Sequence, residues 1–174
     1  AYWQERLGGE QPVTTLPLDR PRRSPRDHRG GSVGIRLAEK TVTRLRELSR
    51  RHGATLFMTL LAGFDLLLHR YGGDEDIRIG VPVAGRNRVE TEGLVGFFVN
   101  TLVLRADLTG PMTVGDLINQ VWDWMLEVQS LQLLPSERLA APLPSVRAHS
   151  ITLPFQVAFN NLSHAQDMFT SSVR

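Results

Sequence analysis

Two patterns in this sequence predict an α/β (α+β) fold, with a mixed sheet covered by helices. Apolar residues recur at helical spacing in some segments and alternate with period two in others, and the two kinds of segment follow one another along the chain. The composition, 41% hydrophobic and 22% charged over 174 residues, is that of an ordinary globular domain.

The chain opens with residues 2–7, which are predicted to be the last turns of a helix. A connector rich in proline and arginine follows up to about residue 31. A chain that begins at the end of a helix is expected to be part of a longer protein. Val33, Ile35 and Leu37 then alternate with small or polar neighbours, which predicts a half-buried strand.

Two helices are predicted next. The first runs from about Ala38 to His52, with Gly53 where a left-handed cap belongs. The second covers residues 54–71 and ends at the glycine pair 72–73. Its apolar residues fall at helical spacing, which indicates core packing. These residues are Leu56, Phe57, Leu60, Leu61, Phe64, Leu67, Leu68 and Tyr71.

The second half of the chain repeats the alternation. Period-two patterns predict a strand over residues 77–83, and residues 102–105 are predicted to be another strand. Thr113 and Asp116 resemble a capping box that opens a helix reaching about Gln129. Residues 131–150 are a proline-interrupted loop. Phe155, Val157 and Phe159 then predict a last strand.

The composition excludes several kinds of site. Because the chain has no cysteine, it can form no disulfide, thiol nucleophile or cysteine-ligated metal site, and a cytoplasmic location is favoured. The longest apolar stretch, residues 56–68, is shorter than the ~20 residues of a membrane span. No secretory signal opens the sequence, so no membrane partner is expected.

Five arginines crowd the connector between residues 20 and 29. They could contact phosphate or nucleic acid, but prolines, glycines and two aspartates in the same region favour a solvated connector. No nucleic-acid partner is therefore expected.

The five histidines form no catalytic pair and no metal-ligand spacing. They are His28, His52, His69, His149 and His164. His52 and His69 lie near predicted helix ends, where an imidazole stabilises the terminal carbonyls. His149 precedes the last strand, either in a pocket or exposed to solvent. Nucleophile-elbow, phosphate-loop and dinucleotide-binding patterns are absent from the sequence as well.

Two clusters combine glycine, arginine and asparagine beside predicted strands. Residues 80–86 place Arg86 at a strand end, where ligands and carboxylates are commonly met, although a solvated arginine in a turn has the same pattern. Residues 96–101 place Asn100 beside two aromatic rings, where it could line a tunnel or cap a turn. The residues alone do not choose between these alternatives.

In this order, the same clusters resemble the condensation domains of nonribosomal peptide synthetases. Residues 93–105, read GLVGFFVNTLVLR, are similar to the family signature GxFVNTxxxR. The likeness extends over about residues 1–162. It implies the C-terminal lobe of a fold like that of chloramphenicol acetyltransferase. Residues 1–31 would then be a helix end and connector, residues 32–165 an incomplete lobe, and residues 166–174 a polar tail.

The resemblance implies that an acceptor amine attacks a donor thioester and an amide forms. Both substrates would arrive on the phosphopantetheine arms of peptidyl carrier domains, and no directly bound cofactor or metal is expected. The other implied partners are the N-terminal lobe and an adjacent adenylation domain. The family's HHxxxDG motif does not occur in this sequence, so no catalytic residue is assigned and the chain alone is expected to be inactive.

Seven residues receive roles by this resemblance. Arg86 is expected to face the tunnel and to pair with the aspartate of the missing motif. Asn100, Arg147 and Ser150 would support the active site as well. Packing roles within the motifs fall to Gly96, Phe98 and Gln156.

Two later motifs depart from the family pattern. Residues 131–137 lack the histidine, aspartate and phenylalanine of HQDxPFE, and residues 147–157 lack the aspartate and second arginine of RDxSRxPLFQV. These losses leave a second hypothesis open. In it, the chain is part of a degenerate, non-catalytic module that docks a carrier or recruits a tailoring enzyme.

Overall fold

The structure is a computed structural model that describes residues 2–8, 14, 16–19, 30–86, 89–129 and 154–161. It contains five helices and three strands within these residues. In chain order they are α1 (Tyr2–Leu7), α2 (Glu39–Arg51), α3 (Leu56–Gly72), β1 (Asp76–Val83), α4 (Val89–Glu92), β2 (Asn100–Asp107), α5 (Val114–Gln129) and β3 (Val157–Ala158). The predicted α/β class is confirmed.

The chain divides into two compact units. The first comprises residues 1–11, 78–105 and 126–174, and it holds α1, α4, β3 and most of β1 and β2. The second comprises residues 12–77 and 106–125, with α2, α3 and most of α5.

In the second unit, α2 and α3 form a helical pair. Two buried hydroxyls join them, because Ser49 Oγ lies 2.7 Å from Thr59 Oγ1. Gly53 has φ +62°, the left-handed conformation that was predicted where α2 ends. No single helix among the described residues is long and apolar enough to span a membrane. Helices α2 and α3 are long and apolar enough only when taken together, and a 104° bend separates them.

Helix α3 is the longest helix among the described residues, and only part of its predicted apolar stripe is buried. Leu61 and Leu68 are buried, whereas Leu67 and Tyr71 are 49% and 66% exposed. The side chain of Thr55 caps its first turn by accepting a hydrogen bond from the Met58 N–H at 3.3 Å. Its last turn closes at Gly73, whose N–H donates to the His69 carbonyl at 2.7 Å. Buried residues recur every three or four positions and include one acid. They are Met58, Thr59, Leu61, Ala62, Asp65 and Leu68.

Helix α5 begins with the predicted capping box. The Asp116 N–H donates to Thr113 Oγ1 at 3.2 Å, and the Asp116 carboxylate accepts from the Thr113 N–H at 2.8 Å. Leu117, Ile118 and Val121 bury the inner face of the helix. The sequence therefore predicted the start of this helix.

In the first unit the strand order is β2-β1-β3. β1 and β3 are parallel, with Ile79 opposite Val157 and Gly80 opposite Ala158. The alternation over residues 77–83 predicted a strand, and β1 is that strand; residues 77–81 are all buried, including the side chain of Arg78. Since both faces of β1 are buried, the period-two pattern did not mark an exposed face here.

Helix α1 is tied to this sheet at its C-terminal end. Arg105 of β2 donates to the Arg6 carbonyl at 2.9 Å, and Arg78 of β1 donates to the Leu7 carbonyl at 3.4 Å. The Arg6 side chain also forms an ion pair with Glu127 at 3.2 Å. Cationic donors satisfy carbonyls that the helix leaves without internal partners.

One predicted element is wrong and others have different bounds. Residues 30–38 contain no helix or strand, and Val33 and Ile35 are 88% and 86% exposed. A strand needs a neighbour for its backbone groups, and no backbone hydrogen bond joins residues 32–37 to another described residue. The last strand has two residues instead of five, while β2 begins and ends two residues beyond its predicted limits. Helix α4 was not predicted.

Candidate functional site

The candidate site lies where β1 ends and the segment before β2 folds against it. Gly85 follows β1 with φ +65°, a conformation that L side chains rarely adopt. A β-carbon at Gly85 would collide with the Phe98 carbonyl oxygen. Glycine is therefore required at this position for two independent reasons.

The guanidinium of Arg86 is bound by the backbone of the following loop. Its Nη1 donates to the carbonyls of Thr91 and Leu94, the second at 2.8 Å, and its Nη2 lies 3.4 Å from the Gly96 carbonyl. The planar shape and several donors of arginine make such multiple contacts possible. One side chain thus joins the strand end to three points of the loop.

Phe98 completes the cluster. The guanidinium carbon of Arg86 lies 4.4 Å from the centroid of its ring, within the range of a cation–π contact. A β-carbon at Gly96 would lie 3.0 Å from the same ring, so the glycine leaves space for it. We call this cluster the Arg86 clamp; it comprises Gly85, Arg86, Gly96, Phe98 and the carbonyls of residues 91 and 94. The packing roles of Gly96 and Phe98 in the family motif stay predictions.

The loop held by the clamp turns apolar side chains outward. Val95 is fully exposed, Phe97 is 89% exposed, and Leu94 and Val99 are about half exposed. The two phenylalanines of the motif therefore differ in role, because Phe98 packs on Arg86 whereas Phe97 faces away from the unit. The sequence pattern alone did not separate them.

Asn100, the first residue of β2, turns its side chain toward its own strand. Its Oδ1 accepts a hydrogen bond from the Thr101 N–H at 2.9 Å. This is the local contact of a turn cap, one of the two alternatives that the sequence left open. Asn100 thereby fixes the passage from the loop into β2.

The segment that resembles RDxSRxPLFQV contains Phe155, whose ring lies against Gly80 of β1. Gln156 lies half-buried beside it, immediately before β3. Arg147 and Ser150, predicted to support the active site, lie outside the described residues, as do His28, His149 and His164.

The two described histidines lie in the second unit. His69 Nδ1 is 2.9 Å from the Asp74 carbonyl, and His52 lies against Gly115, where a β-carbon would be 2.7 Å from its ring. Hydrogen bonds from the side chain and backbone of Thr113 lower the pKa of Asp116, and His52 lowers it further. Within the described part of the chain, no three His, Cys, Asp or Glu side chains could hold a metal ion.

A small cleft in the second unit adjoins His69 and has a volume of about 130 Å³. Ligand pockets for drug-sized molecules usually measure ~300–1,000 Å³. Its walls include the apolar side chains Leu66, Leu108 and Leu117. A cleft of this size does not compete with the Arg86 clamp as the candidate site.

Sequence reasoning missed two buried ionisable side chains and the role of a third residue. Asp65 in α3 is fully buried, and burial raises the pKa of its carboxyl to about 8. Arg78 is buried in β1, and Arg105, the last residue of the signature, holds the end of α1. The only sequence signal for these positions was a charged residue inside an apolar pattern.

Comparisons with known proteins agree with the signature. The family model described as the condensation domain matches residues 1–172. One of the proteins that make up the linear gramicidin synthase of Brevibacillus parabrevis is 49% identical over 159 residues, which are 91% of this chain and 3% of that protein.

Two solved structures share the fold. A four-domain nonribosomal peptide synthetase, holo-AB3403 bound to AMP and glycine, matches 96% of this chain and 13% of its own, with a TM-score of 0.83 and 26% identity. The X-domain from teicoplanin biosynthesis matches 90% of this chain and 35% of its own, with a TM-score of 0.81 and 27% identity. The chain therefore spans a small part of the synthetases it matches and about a third of the X-domain. Together, the matched model and the clustered motifs show that the chain belongs to the condensation-domain family of nonribosomal peptide synthetases.

Proposed function

We propose that the protein containing this chain joins two carrier-bound thioesters through an amide bond. The acceptor amine attacks the carbonyl carbon of the donor thioester, the carbon–sulfur bond breaks, and the donor carrier leaves as a thiol. The amine proton passes to a base, and the sulfur receives a proton. The observation that supports this proposal is a condensation-family match over residues 1–172 in which the GxFVNTxxxR signature forms an ordered cluster.

Residues 32–165 would supply part of the C-terminal lobe in this reaction. The base would come from the HHxxxDG motif of the N-terminal lobe, which does not occur in this sequence. Peptidyl carrier domains would deliver both substrates on phosphopantetheine arms, and an adenylation domain would load the acceptor. Pairing of Arg86 with the aspartate of that motif stays a prediction, as do the supporting roles of Arg147 and Ser150.

Single-turnover amide formation tests the proposal. The complete condensation domain is mixed with a donor carrier bearing an acyl thioester and an acceptor carrier bearing an aminoacyl thioester. Intact-mass measurement of the acceptor carrier then follows the transfer. We expect the acceptor carrier to gain the mass of the acyl group, and to do so far more slowly when the second histidine of HHxxxDG is replaced by alanine.

A domain that binds loaded carriers without any transfer would contradict the proposal. That result would support the alternative of a non-catalytic docking module. Measuring carrier binding in the same samples separates that outcome from a domain that has lost its fold.

A further inference from the structure

We propose that the small cleft beside His69 binds an aromatic molecule of one ring that carries a hydroxyl or N–H donor. This inference goes beyond the proposed function and does not depend on it. The cleft lies entirely within the second unit. Helix α3, the turn after β2 and the first turns of α5 form its walls.

The size of the cleft limits the ligand to a single ring. Its volume is about 130 Å³. An apolar cavity of about 150 Å³ inside a protein accepts a benzene molecule, whereas drug-sized ligands take at least ~300 Å³. The cleft therefore matches one six-membered ring and excludes a larger ring system.

The apolar side chains of the cleft favour an aromatic ring. Leu108 and Leu117 are buried, with exposures of 9% and 2%, and a ring held between such side chains loses its contact with water. Met112 lines the same cleft. A thioether makes favourable contacts with aromatic rings, so this wall suits an aromatic ligand better than an aliphatic one.

His69 supplies the polar contact. Its Nδ1 lies 2.9 Å from the Asp74 carbonyl oxygen. Because a carbonyl only accepts, Nδ1 carries the proton, and Nε2 of the neutral ring is an acceptor. Asp74 does not line the cleft, and the imidazole has no other hydrogen bond to a described residue. Nε2 is therefore the ring nitrogen left for a ligand in the cleft.

Thr113, the other polar side chain of the cleft, already has partners. Its hydroxyl donates to the Asp116 carboxylate at 2.6 Å and accepts from the Asp116 N–H at 3.2 Å. Its own N–H donates to the same carboxylate at 2.8 Å. A ligand that donates a hydrogen bond is thus directed to His69, and one donor on an otherwise apolar ring matches the cleft.

Phenol and toluene test the inference in the complete condensation domain. The two molecules have nearly the same shape, but only phenol can donate a hydrogen bond. Methyl NMR spectra recorded during a titration give the dissociation constant of each molecule. Shifts of the Leu66, Leu108 and Leu117 methyl groups locate it. We expect phenol to bind in the cleft with a dissociation constant of about 1 mM.

His69→Asn tests the hydrogen bond without removing the contact to Asp74. The asparagine amide N–H can replace Nδ1–H as the donor to the Asp74 carbonyl, but the variant has no Nε2. We expect the ratio of phenol affinity to toluene affinity to fall about fivefold, the effect of one hydrogen bond. The ratio cancels any change that affects both molecules alike.

A matched pair of variants tests the place of binding. Leu66→Phe adds volume to a wall of the cleft and should weaken the binding of both molecules. Leu67→Phe is the control, because it adds the same ring to the next position of α3, which is 49% exposed and does not line the cleft. It should leave both dissociation constants unchanged.

A folded wild-type domain that binds no phenol at millimolar concentrations would overturn the inference. Shifts confined to other methyl groups, or equal weakening in Leu66→Phe and Leu67→Phe, would do the same by placing the molecule elsewhere. An unchanged affinity ratio in His69→Asn would also overturn it, because Nε2 would then take no part. None of these results depends on amide formation, so a failure here is distinct from a failure of the proposed function.

Discussion

The ring of Phe155 lies against Gly80, on the side of β1 where a β-carbon would project. This contact joins two paired strands, since Gly80 is opposite Ala158 and the Phe159 N–H donates to the Gly80 carbonyl at 2.9 Å. The absence of a β-carbon at Gly80 is therefore required for Phe155 to pack on β1.

Replacing Gly80 by alanine is expected to destabilise the domain by about 1–3 kcal/mol, the usual range for an added methyl in a packed core. The methyl would force the Phe155 ring away from β1. Urea unfolding followed by circular dichroism measures the loss. Gly63→Ala in α3 is the control, because nothing lies within 4 Å of a β-carbon there and alanine favours a helix. A Gly80→Ala domain as stable as the control would contradict this packing.

Asp65 predicts a pH dependence of stability. Burial raises the pKa of its carboxyl from 3.8 to about 8, and neither oxygen has a hydrogen-bond partner among the described residues. Above pH 4 the unfolded chain releases this proton while the folded chain keeps it. The contribution of Asp65 to the free energy of unfolding therefore falls as the pH rises from about 4 to 8.

Asp65→Asn removes this dependence while keeping the shape of the side chain. One pKa unit corresponds to about 1.4 kcal/mol. Even if only half of the shift occurs, we expect Asp65→Asn to be more stable than the wild type at pH 8 by more than ~2 kcal/mol. Urea unfolding of both proteins at pH 5, 6.5 and 8 measures the gap. A gap that does not widen with pH would show that the carboxyl is hydrated or paired.

The Thr113 hydroxyl is expected to stabilise α5 by capping its first turn. Thr113→Ala removes the hydroxyl that accepts from the Asp116 N–H, and we expect a loss of about 1 kcal/mol in the free energy of unfolding. Thr113→Ser keeps the hydroxyl and serves as the matched variant. An equal loss of stability in Thr113→Ser and Thr113→Ala would contradict the capping role. The loss would then come from the methyl group and not from the hydroxyl.

The exposed segment of residues 32–37 predicts how this 174-residue chain behaves by itself. With Val33 and Ile35 almost fully exposed, the isolated chain should bind the dye ANS and unfold over a broad range of urea. Replacing both residues by serine should lower the dye fluorescence. A sharp cooperative transition without dye binding would contradict this expectation.

Local signals predicted α2, α3 and α5, because residues within or next to each of these helices favour its start, its end or its apolar face. α3 has an apolar stripe with Thr55 at its start and a glycine at its end, and α5 has Thr113 and Asp116 three residues apart. Neither pattern depends on a distant part of the chain. The packing roles of Gly96 and Phe98 come from the family motif in which they stand, and they stay predictions.

Predictions failed where a distant partner decides the outcome. Residues 32–37 alternate like a strand, yet no neighbouring strand meets them among the described residues. The burial of Asp65 and Arg78 was missed because a charged residue in an apolar pattern usually marks the exposed face. The carbonyls that hold Arg86 belong to the backbone, which no side-chain pattern reveals.

The parallel pairing of β1 with β3 has a consequence for the order of folding. Ile79 meets Val157, which lies 78 positions further along the chain. Parallel neighbours cannot be joined by a tight turn, and distant contacts of this kind form slowly because a long loop must close first. During synthesis the helical pair α2–α3 can form as soon as it has emerged from the ribosome. The pairing of β1 with β3 cannot form until Ala158 has also emerged. Until then one edge of β1 has no paired strand, and its free backbone groups can pair with the wrong strand.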